Sequence, residues 1–164
     1  MPIEDSRATK GDELGNHDGW QPLRSGRLLG VDLMPVSHVA HALHHFGDRY
    51  LNRVYTRAEI DSCPSLAAAH FAGRFAAKEA AFKALHGGDE TSSSDARNEP
   101  FDWRTIEVLR RPDGSPSLRL HGRMRALAER RGVRHLDLSL SHDGDYAIAF
   151  VVGEAASPGD CNRS

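Results

Sequence analysis

The chain is 164 residues long, enough for one domain with a sizeable core, and its formal charge of −2 provides no general attraction to nucleic acid or an anionic membrane. No apolar run is long enough to cross a bilayer, and the N-terminus lacks the basic-then-apolar order of a secretory signal; a soluble, cytoplasmic protein is expected. Cys63 and Cys161 stand far apart without metal-ligand spacing, which favours reduced thiols.

Residues 1–26 show no periodicity and few apolar positions, and read as a flexible extension. Arg27 to Leu33 then forms a short buried strand that Met34-Pro35 ends. Asp32 interrupts this apolar run. A buried aspartate needs a cation, a metal or backbone donors, unless it caps the helix that follows. That helix starts at Val36, with Val36, Val39, Ala40, Leu43 and Phe46 expected inward and Gly47 at its end. Its outer side carries His38, His41, His44 and His45. His41 and His45 have metal-ligand spacing, but a third ligand and the glutamate of HExxH are missing, so a solvated or partner-facing histidine face is the better reading. Residues 48–56 are a connection or a short helical turn, and Thr56-Arg-Ala-Glu59 fits a capping box opening a short helix.

The stretch from Phe71 to Leu85 reads as one long helix, rich in Ala, Phe, Lys, Glu and Leu. Phe71, Phe75, Phe82 and Leu85 form one stripe, and Lys78 falls inside it. Glu79, Lys83 and His86 share an adjacent face, with Arg74 one turn before Lys78. Of the 21 basic residues only Lys10, Lys78 and Lys83 are lysine, so two of the three stand in this helix. Either chance placed them there or a compact ammonium fits where a planar guanidinium does not.

Asp89 to Pro100 is an acidic, Ser-rich loop. Trp103 to Arg110 alternates as a strand, Pro112 to Pro116 turns, and Ser117 to Leu120 returns. His121 to Arg131 is a helix ending at Gly132. Leu136, Leu138, Leu140 and His142 alternate with Asp137, Ser139 and Ser141, and Asp143-Gly144 signals a hairpin. Ser139, Ser141, Ala147 and Ala149 are expected to make one small-residue face. Residues 154–164 read as a flexible tail. The domain is thus residues 27–153, an α+β fold with an antiparallel sheet packed on a long central helix.

Asp32 and Glu79 are the carboxylates least easily read as surface; Arg74, Lys78, Lys83 and His142 are the cations near expected core. Two hard oxygen donors suit magnesium, and cations around such an ion suit a diphosphate. An ordinary ion pair of Glu79 with Lys83 remains an open alternative.

Gly30-Val-Asp-Leu33, Gly73-Arg-Phe-Ala-Ala-Lys-Glu-Ala80, Trp103 with Ile106-Glu-Val108, and Leu138-Ser-Leu-Ser-His-Asp143 together resemble the holo-acyl-carrier-protein synthases, the small 4′-phosphopantetheinyl transferases. The resemblance covers roughly residues 26–153, with the motifs in family order. It implies the phosphopantetheinyl transferase fold. It also implies transfer of phosphopantetheine from coenzyme A to a serine of an apo acyl or peptidyl carrier protein, with release of 3′,5′-ADP. By the same resemblance Asp32 and Glu79 bind Mg²⁺, and Lys83 assists at the diphosphate or in proton transfer. Arg74, Lys78, Lys83 and His142 hold coenzyme A phosphates, and a homotrimer places its sites between protomers. A coenzyme A and carrier-binding module without catalysis is the alternative. The family's carrier-gripping arginines on the first helix are His38 and His45 here, and its glycine after the long helix is His86. With the N-terminal extension and the acidic loop, these departures suggest a dedicated carrier, as in a secondary-metabolite pathway.

Overall fold

The long central helix is present and runs from Ala68 to His86 in the computed structural model, which describes residues 26–63, 67–87 and 100–156. Most of the expected extension and of the acidic loop, and most of the tail with Cys161, lie outside the described residues. In chain order the elements are β1 (Arg27–Pro35), α1 (Val36–Phe46), α2 (Asp48–Val54), α3 (Arg57–Asp61), α4 (Ala68–His86), β2 (Ile106–Arg110), β3 (Pro116–Leu120), α5 (Gly122–Arg130), β4 (Val133–Asp143) and β5 (Tyr146–Ala155). The strands make an antiparallel three-stranded sheet in the order β1-β5-β4 and a separate β2-β3 hairpin. This is the α+β architecture expected. The sheet reaches Ala155, two residues past the expected domain end, because Ala155 N–H donates to Gly26 O across the sheet end.

Helix α4 lies across β1 and β5 and buries an alanine surface, with Ala72, Ala76, Ala77, Ala80, Ala81 and Ala84 inaccessible or nearly so. Small residues on both partners bring helix and sheet close. Gly30 is the extreme case, since a Cβ there would sit 1.9 Å from Ala80 O, a contact with backbone that no side-chain movement relieves. Phe71 and Leu85 are fully buried, while Phe75 and Phe82 are half-buried against Trp103, with ring centroids 5.1 and 5.9 Å away.

Three expectations are corrected. Ser139 and Ser141 do not share a face with Ala147 and Ala149. The two-residue turn of Gly144 (φ 51°) and Asp145 pairs odd positions of β4 with even positions of β5, so Ser139 faces Phe150 and Ser141 faces Ile148. Leu138 and Leu140 pair with Val151 and Ala149 instead, and turn inward with them. Trp103 is not strand: Trp103–Thr105 is a 3₁₀ turn capped by Asp102, whose Oδ1 accepts from Arg104 N at 3.1 Å. On α1, Val39 is buried, but Ala40 is exposed and Phe46, at the helix end, is 59% exposed. The capping box is present, with Glu59 N donating to Thr56 Oγ1 (3.2 Å) and Thr56 N to Glu59 Oε2 (2.8 Å).

Candidate active site

Asp32 reaches the helix side of β1 because strand alternation puts Leu28, Gly30, Asp32 and Met34 on that face. Its Oδ1 accepts from Lys83 Nζ at 2.7 Å, and Lys83 also donates to Val31 O at 3.4 Å. The other oxygen, Oδ2, is buried and has no hydrogen-bond partner among the described residues. Glu79 stands one helical turn before Lys83. Burial, and then the charge of Asp32, push its carboxyl above the usual glutamate range, with Lys83 opposing. The two carboxylates are thus near enough to feel each other's charge, and Lys83 pairs from α4 with Asp32 on β1 rather than with Glu79. The hydrogen bond to Asp32 holds the Lys83 ammonium above the ordinary lysine range.

Among the described residues no three-ligand cluster of His, Cys, Asp or Glu could hold a metal. Two hard carboxylates, one with a partnerless buried oxygen, fit an ion that completes its shell with water and substrate phosphate.

Arg74 and His142 lie elsewhere. They line a cavity of about 510 Å³ between the N-terminal half of α4, the β2-β3 hairpin and the end of β4. Arg74 donates to Cys63 Sγ (3.0 Å) and Ser62 Oγ (2.9 Å), while its Nε is buried without a partner among the described residues. His70 and Arg110 line the same cavity. Around α4, Arg74 is turned by about 140–180° from Glu79 and Lys83. Asp32 is on one edge strand and His142 on the other, with β5 between them. One chain therefore carries two separate charged clusters on opposite sides of its central helix.

Lys78 is in neither. Its ammonium is fully buried and donates to Glu59 Oε2 (2.9 Å), Trp103 O (3.1 Å) and Ile106 O. All three donors are thereby committed, which corrects the expectation that Lys78 holds a coenzyme phosphate. Burial lowers its affinity for the proton; the Glu59 carboxylate acts in the opposite sense. Glu59 also accepts from Val108 N at 3.1 Å, so this pair ties α4, α3 and β2 together. His38 and His45 are exposed on α1, away from the cavity lining, and His45 Nδ1 donates to His41 O at 2.9 Å.

Four residues of these networks escape the sequence reading. Glu59 shows only its capping-box signal. Glu107, buried at the start of β2, accepts from Thr56 Oγ1 (2.7 Å) and His121 Nε2 (3.0 Å), yet the sequence shows it only as one position of an alternating strand. His70 and Arg110 carry no pattern of their own; only the cavity gathers them.

A family model for the 4′-phosphopantetheinyl transferase superfamily matches residues 28–151. A holo-[acyl-carrier-protein] synthase of Herpetosiphon aurantiacus is 45% identical over 126 residues, covering 77% of this chain and 97% of that protein. One of Koribacter versatilis is 42% identical over 127 residues, covering 76% and 95%. The solved coenzyme A complex of the Chronobacterium ammoniagenes synthase superposes with a TM-score of 0.65 at 32% identity, covering 80% of this chain and 98% of that one. With the fold and the motif positions in place, the chain belongs to the 4′-phosphopantetheinyl transferase superfamily.

Proposed function

We propose that the protein transfers 4′-phosphopantetheine from coenzyme A to a serine of an apo acyl carrier protein, with Mg²⁺ held by Asp32 and Glu79. The carrying observation is that Asp32 and Glu79 feel each other's charge beside Lys83, with Asp32 Oδ2 buried and unpartnered among the described residues. The serine oxygen forms a bond to the β-phosphorus, the bond to the leaving 3′,5′-ADP breaks, and the serine proton is released. A bound Mg²⁺ supplies charge neutralisation at the diphosphate. Lys83, kept protonated by Asp32, serves as a cation and donor at the diphosphate rather than as the base. Arg74 and His142 bind coenzyme phosphates, and His38 and His45 face the carrier. A binding module without catalysis is disfavoured because Asp32, Glu79 and Lys83 are assembled together. The buried free thiol of Cys63 suits the cytoplasm. Mass spectrometry of an apo carrier protein incubated with coenzyme A, Mg²⁺ and this enzyme should show a phosphopantetheine mass gain on serine. No gain across acyl and peptidyl carriers would overturn the assignment.

The two separate clusters favour a trimer in which Arg74 and His142 of one protomer complete the carboxylate site of the next. An apolar outer sheet face supports this. Leu29, Val31 and Leu33 of β1 and Tyr146, Phe150 and Val152 of β5 are each about half exposed, and Val31 pairs with Phe150. Glu79→Gln and Arg74→Ala proteins, each inactive alone, should regain part of wild-type activity once mixed and reassembled. No recovery in mixed oligomers would place the whole site in one chain.

A further inference from the structure

The cavity beside Arg74 has a distinctive charge pattern. Among the described residues its ionisable lining groups are His70 and Arg74 of α4, Arg110 of β2 and His142 of β4, with no carboxylate. Cys63, from the link before α4, stands behind His70 with Sγ 4.0 Å from Nδ1. Helix α4 starts at this cavity with no side-chain cap and no acidic residue in its first turn, so its N-terminal amides add to the positive potential. At about 510 Å³ the space suits a nucleoside-sized ligand.

We propose that His70 is a second imidazole, beside His142, for the phosphate monoester of coenzyme A, and that it makes affinity for this phosphate proton-dependent. This rests on the phosphopantetheine transfer reading above. Coenzyme A carries a diphosphate, which reacts and so belongs with Asp32 and Glu79, and a separate 3′-monoester. In the assembled site the cavity adjoins the next protomer's carboxylates, which take the diphosphate; with cations but no carboxylate of its own among the described residues, the cavity takes the monoester. The His70 and His142 ring centroids are 6.5 Å apart. At that separation N–H groups of both rings can converge on one phosphate group placed beside them. Nδ1 of His70 is turned toward Cys63, which leaves Nε2 for the ligand. A protonated His70 therefore has an acceptor for each N–H, the thiol sulfur on one side and the phosphate on the other.

Titration calorimetry of the full chain with coenzyme A and with dephospho-coenzyme A, which lacks only the monoester, tests this at pH 6 and pH 8. Wild type should prefer coenzyme A, and that preference should grow about tenfold between pH 8 and pH 6 as charge-assisted bonds form. His70→Ala should lose most of this growth, and His70→Arg should keep the preference high at pH 8. The same pH-dependent preference in His70→Ala, or an equal loss of affinity for both ligands, would overturn the proposal. Wild type that binds no coenzyme A at either pH would instead overturn the phosphopantetheine reading itself.

Discussion

Glu79→Gln is expected to lower the rate of transfer by about 10³-fold or more while leaving the fold intact. The amide keeps the side chain's size and removes the charge that a divalent ion requires. Its effect on stability has the opposite sign. In the folded protein burial and Asp32 raise the Glu79 carboxyl above its unfolded range, so the folded state holds this proton more tightly. A raised carboxyl favours folding at low pH, and that contribution is lost as pH rises through and above the unfolded value of about 4.3. At pH 7 the ionised Glu79 is therefore a cost that the glutamine lacks. Melting curves should place Glu79→Gln at or above wild type at pH 7 and closer to it at pH 4. Added Mg²⁺ should raise the melting temperature of wild type but not of the variant. Near-normal turnover in both Glu79→Gln and Asp32→Asn would sink the metal assignment.

Lys78→Met should do the reverse, acting on stability first. Removing one member of a buried ion pair costs about 3–5 kcal/mol because the remaining charge has no compensation. Here the abandoned group is Glu59, fully buried between α3, α4 and β2. The melting temperature should fall by about 10 °C or more. Adding Glu59→Gln should restore part of it, since the stranded charge disappears. Were Lys78 a phosphate ligand, Lys78→Met would raise the KM for coenzyme A at unchanged melting temperature; that outcome would refute the structural role.

The two predictions differ because neighbouring residues of one helix differ in what the sequence discloses. The helix itself was legible from composition and period, as were the strands, the hairpin turn and the Thr56-Glu59 cap. Asp32 stood out as a carboxylate in an apolar run, and its environment justifies that suspicion. The partner of Lys78 was hidden because Glu59 already had a local explanation, and local spacing does not report closure of a loop between α3 and α4. Arg74 was grouped with Lys78 and Lys83 by proximity along the chain, although the helical period turns it away from Lys83. The small-residue face failed at register: alternation was read correctly in each strand, but the turn length decides which faces coincide.

Gly30 connects these observations. It stands two residues before Asp32, and its contact Ala80 is the residue after Glu79. The gap between strand and helix beside these two carboxylates is thus gauged by a missing methyl group on β1. A side chain at Gly30 would wedge strand from helix next to both carboxylates, and would spoil the fit for an ion of fixed radius even if the fold survived. At this position the requirement for glycine is one of calibration as much as of packing.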